Sequence, residues 1–138
     1  MRKYGMEDIG FINAFEKMTN SKVMDYIRGE SVLYFVVDTK NIGKLVGKNG
    51  ENIISISEKF GKKIKVFKYS KDLKEFVKNL IVRPIEKIEL INEKNTKSLK
   101  IKVANKDKAI IIGRDGNNLK ITKELLKKQF AIENIQIE

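Results

Sequence analysis

A chain of 138 residues with 41% hydrophobic side chains has room for one ordinary domain or two very small ones, and enough apolar content to fold around a core. Lys and Arg number 29 against 18 Asp and Glu, and the net charge of +11 favours a polyanionic partner: nucleic acid, an anionic membrane surface or an acidic protein. Cysteine and histidine are both absent, which excludes disulfides, thiolate chemistry, the usual zinc sites, Ser/His or Cys/His nucleophile pairs, and histidine as a general base.

No apolar run approaches the roughly 20 residues that a spanning helix needs. The start, Met1-Arg2-Lys3, leads into Glu7 and Asp8 rather than into an apolar signal core. The expectation is a soluble, unprocessed, cytoplasmic monomer with no membrane partner. The acidic residues form no paired motif at helical or hairpin spacing, so neither catalysis nor a metal or other cofactor is expected. Lys greatly outnumbers Arg, and the surface should attract phosphate diffusely rather than read bases in bidentate fashion.

Phe11, Phe15 and Met18 recur at helical spacing behind the acidic Glu7 and Asp8, predicting a helix over Glu7 to Met18. Lys22 to Arg28 and Val32 to Val37 are rich in β-branched and aromatic residues and are parted by Gly29-Glu30, which predicts a hairpin. A short helix over Lys40 to Val46 then meets a glycine loop. A second helix follows from Gly50, with Ile53, Ile56 and Phe60 on one face and Gly61 as its stop, and Ile64 to Phe67 reads as a strand. The pattern then recurs: a helix over Asp72 to Leu80, a strand after Pro84, and a strand over Leu99 to Val103. A short helix, a second glycine loop, a helix over Asn117 to about Lys127 and a strand through Ile135 complete it. Pro84, the only proline, suits the first position of an edge strand.

The recurrence is an internal repeat. Aligning Gly47-Lys48-Asn49-Gly50 with Gly113-Arg114-Asp115-Gly116 places Leu33, Phe35 and Val37 on Leu99, Ile101 and Val103. It also places Lys40 on Lys106, Val46 on Ile112, Asn52 on Asn118, Ile53 on Leu119 and Phe60 on Leu126. The boundary falls at Tyr69 to Lys71, giving units 1–69 and 70–138 joined too tightly for a flexible linker.

Each loop lets backbone approach a ligand closely at its glycines. Each also opens a helix whose unpaired N–H groups and positive dipole end attract phosphate. Lys48 and Arg114 add a cation to each loop, and Lys44 leads into the first. Beside the loops, Val46 and Ile53, and Ile112 and Leu119, offer apolar contacts for unstacked bases, which selects single strands over a stiff duplex. One GxxG is weak evidence; two in register within a repeat are strong.

These segments, Val46-Gly47-Lys48-Asn49-Gly50-Glu51-Asn52-Ile53 and Ile112-Gly113-Arg114-Asp115-Gly116-Asn117-Asn118-Leu119, resemble the KH signature over nearly the whole chain. The element order, with the extra helix and strand on the N-terminal side, resembles the type II form. The resemblance implies an α+β fold: two tandem type II KH domains, each a three-stranded sheet with helices on one face. A tandem pair on so short a chain looks most like the archaeal NusA-like transcription elongation and termination factors, and Asn118 matches the Gly-x-Asn that often follows the second loop there. That resemblance implies binding of about four nucleotides of single-stranded RNA per domain, near a transcribing RNA polymerase. Bacterial members carry a polymerase-binding N-terminal domain and an S1 domain, for which this chain has no room. Asp115 would repel phosphate or be neutralised by Arg114, so the first loop is expected to bind phosphate more strongly.

Lys40, Lys44 and Lys48 recur every four residues, the spacing of a basic stripe leading into the first loop. Val32 to Val37 is continuously apolar and should be covered on both faces, whereas Leu99 to Val103 alternates and should keep one face wet. Tyr34, Phe60, Phe67, Tyr69 and Phe76 follow helix and strand periods and read as core rather than base-stacking residues. Gly43 to Asn49 is no P-loop, having three residues between its glycines and Asn49 in place of the magnesium-binding hydroxyl. The competing function is a ribosomal or ribosome-assembly KH protein that binds rRNA.

Overall fold

Residues 5–138 are described by a computed structural model of the chain. It divides into two compact units, Met1–Ser70 and Lys71–Glu138. The first runs α1 (Met6–Thr19), β1 (Lys22–Arg28), β2 (Val32–Asp38), α2 (Ile42–Val46), α3 (Glu51–Phe60) and β3 (Lys63–Lys68). The second runs α4 (Leu73–Ile81), β4 (Ile85–Glu93), β5 (Thr96–Val103), α5 (Asn105–Ile112), α6 (Asn117–Phe130) and β6 (Ile132–Ile137). Each glycine loop is a single 3-10 turn, Lys48–Gly50 or Arg114–Gly116, set between two helices.

Each unit has a three-stranded sheet, in the orders β1-β2-β3 and β4-β5-β6. The first pair in each is an antiparallel hairpin, while β2–β3 and β5–β6 are parallel. Parallel neighbours need a crossover, and α2-loop-α3 and α5-loop-α6 are those crossovers. Pro84 stands one residue before β4, which is an edge strand, so its missing N–H costs the ladder nothing.

In the first unit Leu33, Phe35 and Val37 project from β2 into a core with Phe15 of α1, Tyr26 of β1, Leu45 of α2 and Ile56 of α3. Phe35 lies at the centre, stacked on Phe15 at 4.1 Å and tilted against Tyr26 at 5.2 Å between ring centroids. The opposite face of β2 is also buried, Tyr34 stacking on Phe67 and Val36 fully enclosed. In β5 only Leu99, Ile101 and Val103 are buried, and Lys102 between them is exposed. Phe76 packs on Phe130, and Phe60 on Phe11; Tyr69 is half-buried.

Several bounds depart from the sequence reading, among them the end of β6 at Ile137 rather than Ile135. The helix predicted from Lys40 begins at Ile42, because Asn41 caps it by accepting a hydrogen bond from the Lys44 N–H at 3.0 Å. The β4–β5 hairpin extends well beyond Leu99, turning at Lys94 and Asn95, whose φ values of 47° and 63° supply a primed turn without glycine. Helix α6 runs on to Phe130 and stops at Ala131, which takes the left-handed conformation.

The start of α1 is tied to β1 through Asp8. Burial pushes the Asp8 carboxyl up, but hydrogen bonds from the Tyr26 hydroxyl (2.7 Å) and the Gly5 N–H (3.2 Å), with the Arg28 guanidinium (3.3 Å), outweigh it and hold the carboxyl below the usual range. A lowered folded-state pKa gives stability that is complete above the unfolded value and is lost as pH falls through the folded one. Asp8→Asn should therefore lose less stability than the wild type on going below about pH 4 in a urea-denaturation series. Parallel pH profiles would mean that the tie contributes nothing.

Candidate nucleic-acid interface

The loop backbone is shaped before any ligand arrives. Gly47 has φ 86° and ψ 169°, and Gly113 φ 78° and ψ 173°, a region open in practice to glycine alone. Space makes the same demand: a Cβ on Gly47 would stand 2.8 Å from Asn52 Nδ2, and one on Gly113 2.7 Å from the Asn118 side chain. The middle residues Asn49 and Asp115 have φ 54° and 56°. Asn and Asp tolerate that left-handed geometry better than other non-glycine residues, which accounts for a carboxylate inside the second loop. Gly50 and Gly116 are also left-handed, but a Cβ on Gly50 would meet nothing nearer than 4.0 Å and one on Gly116 nothing at all within that range.

Asn52 and Asn118 hold the two helices of each crossover together. Asn52 Nδ2 donates to the Lys44 and Leu45 carbonyls, both at 3.3 Å, and Asn118 Nδ2 donates to the Ile110 carbonyl at 3.0 Å. Each amide thus satisfies carbonyls at the end of one helix from the first turn of the next. Sequence reasoning aligned these asparagines and gave them no role. Their signal was their place, two residues after the second glycine in both copies.

Lys48, Asn49, Arg114 and Asp115 are exposed at the loop tips. Arg114 and Asp115 make no ion pair among the described residues, so Arg114 does not neutralise the carboxylate beside it. The first loop has an acidic neighbour as well: Glu51 is exposed in the first turn of α3. Each loop therefore presents one cation and one carboxylate at the mouth of a helix N-terminus.

The candidate apolar contacts Val46, Ile53, Ile112 and Leu119 are half-buried, and the first two pack partly against the core. More exposed are Ile54 and Ile110, at 54% and 50%, each beside a loop. Adjacent isoleucines on one helix cannot all face the core, and that was their signal in Ile53-Ile54 and Ile110-Ile111-Ile112. Lys40, Lys44 and Lys48 are all exposed, but Lys40 precedes α2 and Gly47 ends it, so they do not form one helical stripe.

The KH domain family model matches residues 32–79, from β2 through the first crossover and β3 into α4. A "Probable transcription termination protein NusA" of Methanococcus vannielii is 36% identical over 98% of this chain and 79% of its own length. Its namesake in Methanocaldococcus jannaschii is 31% identical over 95% of this chain and 72% of its own. The chain belongs to the archaeal NusA family. A solved structure, that of APE1850, superposes with a TM-score of 0.81 at 33% identity, covering 98% of this chain and all of its own. Among the described residues no helix is long and apolar enough to cross a membrane, and no group of three or more His, Cys, Asp or Glu side chains is placed to hold a metal.

The two glycines of a loop should differ in what they tolerate. Gly47→Ala should destabilise the chain by about 1–3 kcal/mol through strain and the clash with Asn52, whereas Gly50→Asn should cost under about 1 kcal/mol. Urea denaturation of the two variants checks this, and equal losses would contradict the geometry.

Proposed function

We propose that this NusA-family chain is a transcription termination factor that binds single-stranded RNA through two type II KH domains, residues 1–69 and 70–138. The observation that carries the reading is the repeated crossover: one strained glycine, one cation and one asparagine clasp at the start of a helix, built twice from different flanking sequence. A phosphate placed at such a loop would meet helix N–H groups and Lys48 or Arg114, with Ile54 or Ile110 exposed beside it. A base unstacked from its neighbours can lie on those apolar side chains, and a base inside a duplex cannot.

Parallel neighbours on both inner strands, with the extra helix and strand at the N-terminal side of each unit, support the type II assignment. Each domain would hold about four nucleotides. The relatives' names favour a transcription role over a ribosomal one, and RNA polymerase is the protein partner proposed. Catalysis has no part in this reading, and a cytoplasmic monomer remains the proposed state.

Fluorescence anisotropy of labelled mixed-sequence RNA tests it, comparing the wild type with a variant carrying Lys48→Asp, Asn49→Asp and Arg114→Asp. The folded variant should lose about tenfold or more in affinity. The wild type's slope of log affinity against log salt should be about −0.7 for each phosphate neutralised, and shallower in the variant. Unchanged affinity would reduce the loops to turns. Co-purification of the tagged protein with ribosomal particles instead of polymerase would move the function to the ribosome.

A further inference from the structure

Near the first loop lies a cleft of about 680 Å³ between the end of α1, the turn that precedes α2, and the face of α3 that carries Asn52, Ser55 and Ile56. Its volume falls within the roughly 300–1,000 Å³ of small-ligand sites. Leu45 and Ile56, the crossover residues buried in the core, and Met18 of α1 supply its apolar lining. Lys40 and Lys44 stand on one wall and Asn20, Asn41, Asn52 and Ser55 on the others, and no carboxylate is among the lining residues.

Hydrogen-bonding capacity is left over there. Asn41 Oδ1 is occupied by the Lys44 N–H, leaving its NH2 to donate; Asn52 Nδ2 is occupied by the Lys44 and Leu45 carbonyls, leaving its Oδ1 to accept. Among the described residues, the side chains of Asn20, Lys40, Lys44 and Ser55 have no hydrogen-bond or ion-pair partner. Two cations, free donors and acceptors, and the apolar Met18, Leu45 and Ile56 around a space of this size match the phosphate, base edge and base face of a nucleotide.

The duplication provides a control within the chain. At the repeat positions of Asn41, Lys44 and Ser55 the second unit has Asp107, Ile110 and Ile121. Its loop keeps the same backbone with those residues in place, so Asn41, Lys44 and Ser55 are not required to build the loop, whereas Asn52, kept as Asn118, is part of it.

We propose that this cleft binds one nucleotide of the RNA strand held at the first loop, its phosphate against Lys40 and Lys44 and its base against Asn20, Asn41, Asn52 and Ser55. The proposal rests on the reading that the loops bind single-stranded RNA. It makes the first unit's site longer than the second's by one nucleotide.

The test is a titration of the 15N-labelled full chain with single-stranded mixed-sequence RNA, followed by amide NMR shifts. Shifts are expected at Asn20, Asn41 and Ser55 as well as at Lys48 and Asn49. Ser55→Phe fills the cleft, and Lys40→Glu reverses its charge at an exposed position where the fold has no stake. Both should keep the loop shifts, lose those at Asn20 and Asn41, and weaken RNA binding about tenfold. Adenosine or uridine 5′-monophosphate alone should move the cleft amides at millimolar concentration. Loop shifts without cleft shifts in the wild type would overturn the cleft and leave the RNA reading standing; no shift at either place would overturn both. Cleft shifts that survive unchanged in both variants would also overturn it.

Discussion

Two parallel neighbouring strands cannot be joined by a tight turn, and that constraint shapes both units. From the end of β2 the chain must travel back along the sheet before β3 can begin in the same direction. It does so in two helices, and their junction faces away from the core as a single turn with little apolar content. The core fixes where those helices lie: Leu45 and Ile56 are buried against Phe35 and its neighbours. A loop suspended between two such anchored helices has a defined position without needing contacts of its own.

Within the loop, strain and compensation are paired. Gly47 and Gly113 accept a backbone geometry closed to other residues, and the space freed by the missing Cβ is filled by Asn52 or Asn118. Those amides then satisfy carbonyls that the preceding helix leaves unpaired. What remains unsatisfied at the surface is the opening of the next helix, a donor-rich end with a cation next to it. Rigid placement matters for binding because a preorganised set of donors costs less entropy to use.

Much of this was legible in the sequence, and the physical reasons are specific. Leu33, Phe35 and Val37, repeated as Leu99, Ile101 and Val103, sit at the period of a strand with a buried face, and no other structure gives that period. The glycine spacing marked the loops because only glycine fits at Gly47 and Gly113, and the left-handed backbone at Gly50 and Gly116 favours it. Pattern could not show where each element ends. The start of α2 depends on which of Thr39, Lys40 and Asn41 turns its side chain back on the helix, a choice made by local geometry. The turn at Lys94-Asn95 lacks the glycine that normally announces it. At the candidate site, the sequence pattern points to Val46 and Ile53, which are half-buried against the core, and does not single out Ile54, which is exposed. Burial depends on the rotation of a helix about its axis, and adjacent isoleucines do not encode it.

The duplication separates what the fold requires from what the first and second sites each do with it. Backbone geometry, clasp and helix opening are common to both; the acidic position differs, Glu51 in one and Asp115 in the other. The most direct measurement of the central claim is a structure of the chain bound to single-stranded RNA of about eight to ten nucleotides, long enough to supply about four to each proposed domain. The account predicts phosphate oxygens within hydrogen-bond distance of the N–H groups that open α3 and α6, with Lys48 and Arg114 beside them. RNA seated elsewhere on the basic surface, with both loops empty, would contradict it.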